Sequence, residues 1–222
     1  ANTNTEENRR IEYIDVLRVL SMLAVVFLHT AAGSLRSGFN SALWHFSNIL
    51  TAFLSVSVPV FFMISGAMLL GGSKPLTVGS VYRRRLPKVF LPFLLWSLLA
   101  GLYYALRDLF FLGGMDSGML AEKLVYMPTR PVMVHLWFMY VLIPIYILLP
   151  ILKKLADFMD KKILRYLLAV WLVFSVVLPT VKSVIPEGYQ SILEAGQTFS
   201  LDFLGGYLGY FFLGHYLHKY KV

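Results

Sequence analysis

Apolar runs close to twenty residues long recur at least five times along this chain of 222 residues. At 1.5 Å of rise per residue, each is long enough to cross a hydrocarbon layer about 30 Å thick as a helix. A backbone inside lipid must satisfy its own hydrogen bonds, so such runs fold as helices. Composition agrees: 58% of the residues are hydrophobic and 14% charged, with a mean hydropathy of +0.68, where a soluble domain carries about 25% charged residues. The predicted fold class is therefore all-α, a polytopic transmembrane helical bundle. Six spans are predicted, at Ile14 to Gly33, Phe46 to Leu70, Val89 to Leu106, Val134 to Leu152, Leu164 to Val181 and Phe199 to Leu217. Residues 1–10 form a polar tail that begins with Ala1 and is expected to be disordered, outside the folded part. Residues 11–222 are expected to form one transmembrane domain. The first span is predicted to be retained and not cleaved as a signal peptide, because it lacks a small-residue cleavage site and contains Asp15, Arg18 and His29.

The net charge of +8 acquires meaning from where it lies. Lys and Arg fall in short loops between spans, as membrane topology requires, which removes the case for nucleic-acid binding. With Arg18 set aside, one side of the membrane collects fourteen basic residues: Arg9 and Arg10, Lys74 with Arg83, Arg84, Arg85 and Lys88, the Lys153 to Arg165 group, and Lys219 and Lys221. The opposite side collects five, namely Arg36, Arg107, Lys123, Arg130 and Lys182. The predicted N-terminus is cytoplasmic, and six spans return the C-terminus to the same side.

The chain has no cysteine, so a disulfide framework, a Cys-ligated metal and a thiol nucleophile are excluded. His215 and His218 are too few ligands for a metal centre, and none is expected. No GxGxxG, P-loop or HExxH pattern supports nicotinamide chemistry, nucleotide hydrolysis or zinc proteolysis. Ser65 and Gly66 end the second span with small residues that suit close packing more than catalysis, and Asp202 reads as an acid at the start of the sixth, ahead of Gly205, Gly206 and Gly209.

Ionisable residues within a span are costly unless they face a cavity or a partner, and the first span holds three. Arg18 and His29 are eleven residues apart, about three turns plus 20°, so both leave the helix on nearly one face with a rise of about 16 Å. Met22 and Val25 are expected to complete the stripe, and Asp15, at i−3, is close enough to pair with Arg18. The simpler reading places Asp15 and Arg18 at one interface and His29 at the other. Against it, an interfacial anchor is more often Lys, Trp or Tyr, whereas histidine near neutral pH serves as acid, base or transient nucleophile.

These residues resemble the acyltransferase-3 family of membrane acyltransferases, close to its bacterial surface-glycan O-acetyltransferases. The run IEYIDVLR from Ile11 to Arg18, followed by an apolar stretch to His29, is similar to the family's opening signature of a basic residue and a histidine separated by ten residues. VSVPVFFMISG from Val56 to Gly66 resembles the second-span motif, RRLPKVFLP from Arg84 to Pro92 the basic entry to the third, and HLWF from His135 to Phe138 the start of the fourth. The likeness runs from Ile11 to Leu217. Lys88 stands where the family often has a second arginine, which keeps the charge and loses the planar fork. Members of the family carry more spans than are read here, so the domain is expected to be incomplete at its C-terminal end.

The resemblance implies an enzyme that moves an acyl group, most simply acetyl, from cytoplasmic acetyl-CoA to a hydroxyl of an extracytoplasmic glycan or cell-envelope acceptor, in a bacterial inner membrane. It implies His29 as general base or transient acyl carrier, Arg18 as the donor-orienting group held by Asp15, and Arg84, Arg85 and Lys88 as a site for coenzyme A phosphates. The same basic cluster also suits anionic lipid headgroups, and His135 with Trp137 suits either an outer aromatic belt or contact with the acceptor. A transporter or export module, or the membrane sensor domain of a larger protein, would account for the intramembrane Arg and His by proton relay or anion binding.

Overall fold

A computed structural model describes residues 12–36, 38–73, 75–111, 118, 121–122, 125–186 and 206–221. The polar tail, Lys74, Lys123, Asp202, Gly205 and the first part of the predicted sixth span lie outside the described residues. Among the described residues every regular element is helical: α1 (Glu12–Ser34), α2 (Ala42–Leu54), α3 (Ser57–Leu70), α4 (Val78–Ser80), α5 (Pro87–Phe111), α6 (Trp137–Phe158), α7 (Lys161–Leu172), α8 (Leu178–Val184) and α9 (Tyr207–Tyr220). Five helical segments are long and apolar enough to cross a bilayer: Glu12–Ser34, Ala42–Leu70, Val78–Phe111, Val134–Phe158 and Lys161–Val184. The protein is an integral membrane protein with an all-α fold. The third segment is longer than its predicted span at both ends, because Arg83, Arg84, Arg85 and Arg107 lie on helical turns and not in loops.

Three of the prolines accompany departures from regular helix in these segments. Proline has no N–H for the carbonyl four residues back, and its ring crowds that carbonyl. Pro59 withholds a donor from Ser55, and α2 gives way to α3 at Ser55 and Val56. The Ser57 hydroxyl there donates to the Leu54 carbonyl at 2.6 Å. Of the four Leu-Pro dipeptides, those at 86–87 and 178–179 each follow a π-helical turn, Val81–Arg85 and Val173–Val177, while those at 91–92 and 149–150 lie inside α-helix. In the first two, the leucine N–H skips back five residues, Leu86 to Val81 and Leu178 to Val173. The ladder widens there by one residue, with proline leaving it short of a donor.

The chain forms two compact units, Ala1–Ser73 with Ala156–Val222, and Lys74–Leu155. In the first, α3 and α9 pack most extensively, and α1 packs on α2 and α3. Lipid tails are as apolar as leucine, so helices within a bilayer associate through close packing at small residues. Gly66 and Gly214 supply it: a Cβ on Gly66 would run into the Phe211 backbone, and one on Gly214 into the Met63 backbone. Phe62 stacks on Tyr207 at 4.6 Å, and Trp171 meets Tyr210 edge-on at 4.7 Å while its Nε1 donates to the Gly206 carbonyl at 3.0 Å. In the second unit Phe93 meets Tyr140 edge-on at 5.2 Å, beside a core that includes Val132, Met139 and Ile145.

Candidate functional site

The outward surface of α1 is greasy: Val16, Val19, Leu20, Leu23, Val26 and Phe27 are all exposed, as a lipid-facing helix requires. Its other side carries the two buried residues, Ile14 and Ser21. Arg18 and His29 fall on that protein-facing side and are half-buried. Arg18 Nη1 donates to Asp15 Oδ1 at 3.3 Å, with 43% of the arginine and 35% of the aspartate side chain exposed. The polar stripe runs through Ser21 and Val25, while Met22, expected within it, turns to the lipid edge and is 60% exposed. Position 22 is rotated about 40° from Arg18, position 25 only about 20°, and the narrower face is the one that packs. Ser21 was not read as part of the stripe, although its place at i+3 from Arg18 was the available signal.

The second unit gathers the basic cluster. Arg84 and Arg85 end the π-helical turn and Lys88 lies in the first turn of α5, so all three stand on one side of the segment. With Tyr146 of α6 they line a cleft of about 390 Å³. Among the described residues none of the three is joined to a carboxylate. Three like charges sharing a cleft repel one another, and an anion is what such a cleft accommodates. Arginine brings paired planar donors suited to phosphate oxygens, and lysine a point charge. Lys88 and Tyr146 are each followed four residues later by proline, Pro92 and Pro150, which deprives their carbonyls of a helical donor as well.

His135 is exposed on a 3-10 turn, Val134–Leu136, and the half-buried Trp137 opens α6. The loop before them is pinned by the Tyr140 hydroxyl, which reaches the carbonyls of Met127 and Arg130, and Arg130 lies over the Tyr126 ring at 5.3 Å. Trp137 and Tyr146 share α6 at a separation of about 14 Å. The structure thus brings Asp15 and Arg18 together with His29 three turns along in one unit. It brings Arg84, Arg85 and Lys88 together in the other, where His135 and Trp137 also reside. Among the described residues no group of three or more His, Asp or Glu is placed to hold a metal ion.

The model of the acyltransferase domain known as acyltransferase-3 matches residues 11–222. The chain belongs to the acyltransferase-3 family. No curated protein and no solved structure gives a significant match. The match reaches into both units and takes in all five membrane-crossing segments. Two polar residues inside this domain escaped the sequence reading. Tyr146 sits in an apolar run and reaches the cationic cleft only through tertiary packing. Asp108 has the charged neighbour Arg107, which looked like an outer-loop charge, yet Asp108 is buried on α5.

Proposed function

We propose that this acyltransferase-3 protein transfers an acyl group, most simply acetyl, from cytoplasmic acetyl-CoA to a hydroxyl of an extracytoplasmic glycan or other cell-envelope acceptor across a bacterial inner membrane. The reading includes six spans with a cytoplasmic N-terminus, as the distribution of Lys and Arg favours. The observation that carries it, beside the family, is that Arg18 and His29 share the protein-facing side of a span whose exposed surface is mostly apolar. A bilayer does not retain an arginine and a histidine there without work for them.

In this reading the phosphates of acetyl-CoA dock against Arg84, Arg85 and Lys88, and Arg18, oriented by Asp15, steadies the donor or the charge developing on the thioester oxygen. His29 removes the proton from the acceptor hydroxyl as its oxygen attacks the thioester carbonyl. The carbon–sulfur bond then breaks, the ester forms, and the CoA sulfur leaves with the proton returned by the imidazolium. Alternatively the imidazole takes the acyl group first, releases CoA, and passes the acyl group to the acceptor. His135 and Trp137 serve the acceptor in both routes. Purified protein in proteoliposomes given labelled acetyl-CoA and a glycan acceptor tests the reading. Label should enter an alkali-labile ester, and His29→Ala should reduce transfer by about 100-fold or more. Solute flux without acyl transfer would instead identify a transporter.

A further inference from the structure

Two lysines from different helices of the first unit converge on one aromatic ring. Lys161 Nζ, from the first turn of α7, lies 5.0 Å from the centroid of the Tyr220 ring, and Lys219 Nζ, from the end of α9, lies 5.7 Å from it. Tyr216 packs against the same ring at 5.1 Å. Lys219 also reaches the Ala156 carbonyl at 3.5 Å. The carboxylate next to Lys161, that of Asp160, is taken up as the cap of α7, its Oδ1 accepting the Ile163 N–H at 2.8 Å. Arg165 stands one turn beyond Lys161 on the same face of α7, and Lys162 follows Lys161 in the same turn. All four cations are exposed, and among the described residues none is joined to a carboxylate. A ring attracts an ammonium group without cancelling its charge, and like charges at i and i+4 destabilise a helix. Membrane topology asks for basic residues in this region and is indifferent to whether two of them share a ring. Their convergence calls for a shared anion.

The position of the cluster says where that anion comes from. Lys161 opens the membrane-crossing segment Lys161–Val184, so its first turn stands at the level of the lipid headgroups. Phe158 and Tyr166, 85% and 73% exposed, flank the α7 cations in sequence. Aromatic side chains exposed beside the end of a span settle at the boundary between headgroups and acyl chains, and lysine stems lie along apolar surface with their charged heads at the phosphates. A soluble phosphate satisfies the cations and leaves Phe158 and Tyr166 in water. A phospholipid covers those rings with its chains and brings a phosphate to the ammonium groups. A zwitterionic headgroup carries its own cation, which the lysines repel, whereas an anionic one keeps its negative charge for them. The cluster belongs to a different unit from Arg84, Arg85 and Lys88.

We infer that Lys161 and Lys219, joined at the Tyr220 ring and flanked by Lys162 and Arg165, form a binding site for the phosphate of an anionic phospholipid. The site is independent of the acyl transfer proposed above, and its test reads no transfer. The full chain, purified in a neutral detergent, is titrated with short-chain phosphatidylglycerol or phosphatidylcholine, with bound lipid counted by native mass spectrometry and the melting temperature followed in parallel. Phosphatidylglycerol should bind and raise the melting temperature, and phosphatidylcholine at the same concentration should do neither. Lys161→Gln combined with Lys219→Gln should weaken the Kd for phosphatidylglycerol at least about tenfold, and Lys161→Arg with Lys219→Arg should keep it within about threefold. Removal of two other exposed lysines, by Lys154→Gln with Lys221→Gln, should keep it within about twofold. If the Lys161 and Lys219 glutamine pair melts below the wild type without lipid, Lys161→Gln alone takes its place, with an expected loss of at least about threefold. Equal affinity of the wild type for the two lipids, or a loss in the Lys154 and Lys221 pair as large as in the Lys161 and Lys219 pair, would show general attraction to a basic surface and overturn the site. A loss in the arginine pair as large as in the glutamine pair would overturn it as well, since charge would not be what binds. Inorganic phosphate raising the melting temperature as much as phosphatidylglycerol at equal concentration would assign the cluster to a soluble anion and overturn the lipid.

Discussion

In the proposed reaction the chemistry turns on His29, and Arg18 lies three turns away on the same protein-facing side of α1. The roles proposed for them predict separable losses. His29→Ala should abolish transfer while leaving CoA binding intact, because a proton acceptor contributes to the chemical step and not to holding the donor. Arg84→Ala should do the reverse: loss of a charge-assisted contact to phosphate is expected to weaken CoA binding by about 10-fold to 100-fold, measured by calorimetry, and more steeply at low salt. Arg18 and His29 were legible in the sequence because ionisable residues stand out in an apolar run and a spacing of eleven places them on one face. Tyr146 was not, since nothing in the run from Trp137 to Pro150 says which side chain will meet the cations of another helix. Asp108 was hidden by its neighbour, since an Arg-Asp step near a span end reads as a loop until its burial is seen.

At the scale of elements, proline and glycine decide the geometry. Pro87 denies Arg83 its helical donor and sits immediately beyond the π-helical turn that presents Arg84 and Arg85. Pro87→Ala restores the N–H and lets the turn tighten toward α-helix, which re-aims the arginines. The expected result is a several-fold weaker Kd for CoA with the melting temperature kept or raised. Gly66 lies where α3 and α9 touch backbone to backbone. Gly66→Leu should part these helices and destabilise the first unit by about 1–3 kcal/mol or more, visible as a lowered melting temperature in detergent. The membrane-crossing helices were readable because length and apolarity suffice to specify a span. Their internal breaks were only partly readable: Pro59, Pro87 and Pro179 each accompany one, whereas Pro92, Pro144 and Pro150 lie inside unbroken α-helix. What the sequence did not convey is the continuation of helix through Arg83, Arg84 and Arg85: charge marks the end of an apolar run, not the end of a helix.

At the scale of the whole molecule, the proposed chemistry is sided. α5 carries the cationic cleft toward one end and the Arg107 and Asp108 pair toward the other, separated by about the thickness of a bilayer core. The chain has no cysteine, so single cysteines can report topology without background. Cysteines at Tyr82 and at Arg130 should react with a membrane-impermeant maleimide from opposite faces, with Tyr82 protected in intact cells and Arg130 accessible. The central claim, that His29 drives acyl transfer from CoA across this fold, is met most directly in proteoliposomes of oriented protein. Labelled acetyl-CoA is supplied only to the face bearing Arg84, with a neutral oligosaccharide on the other. Labelled ester is expected in the opposite compartment for the wild-type protein and about 1% of that or less for His29→Ala. Equal ester formation by the two proteins would contradict it.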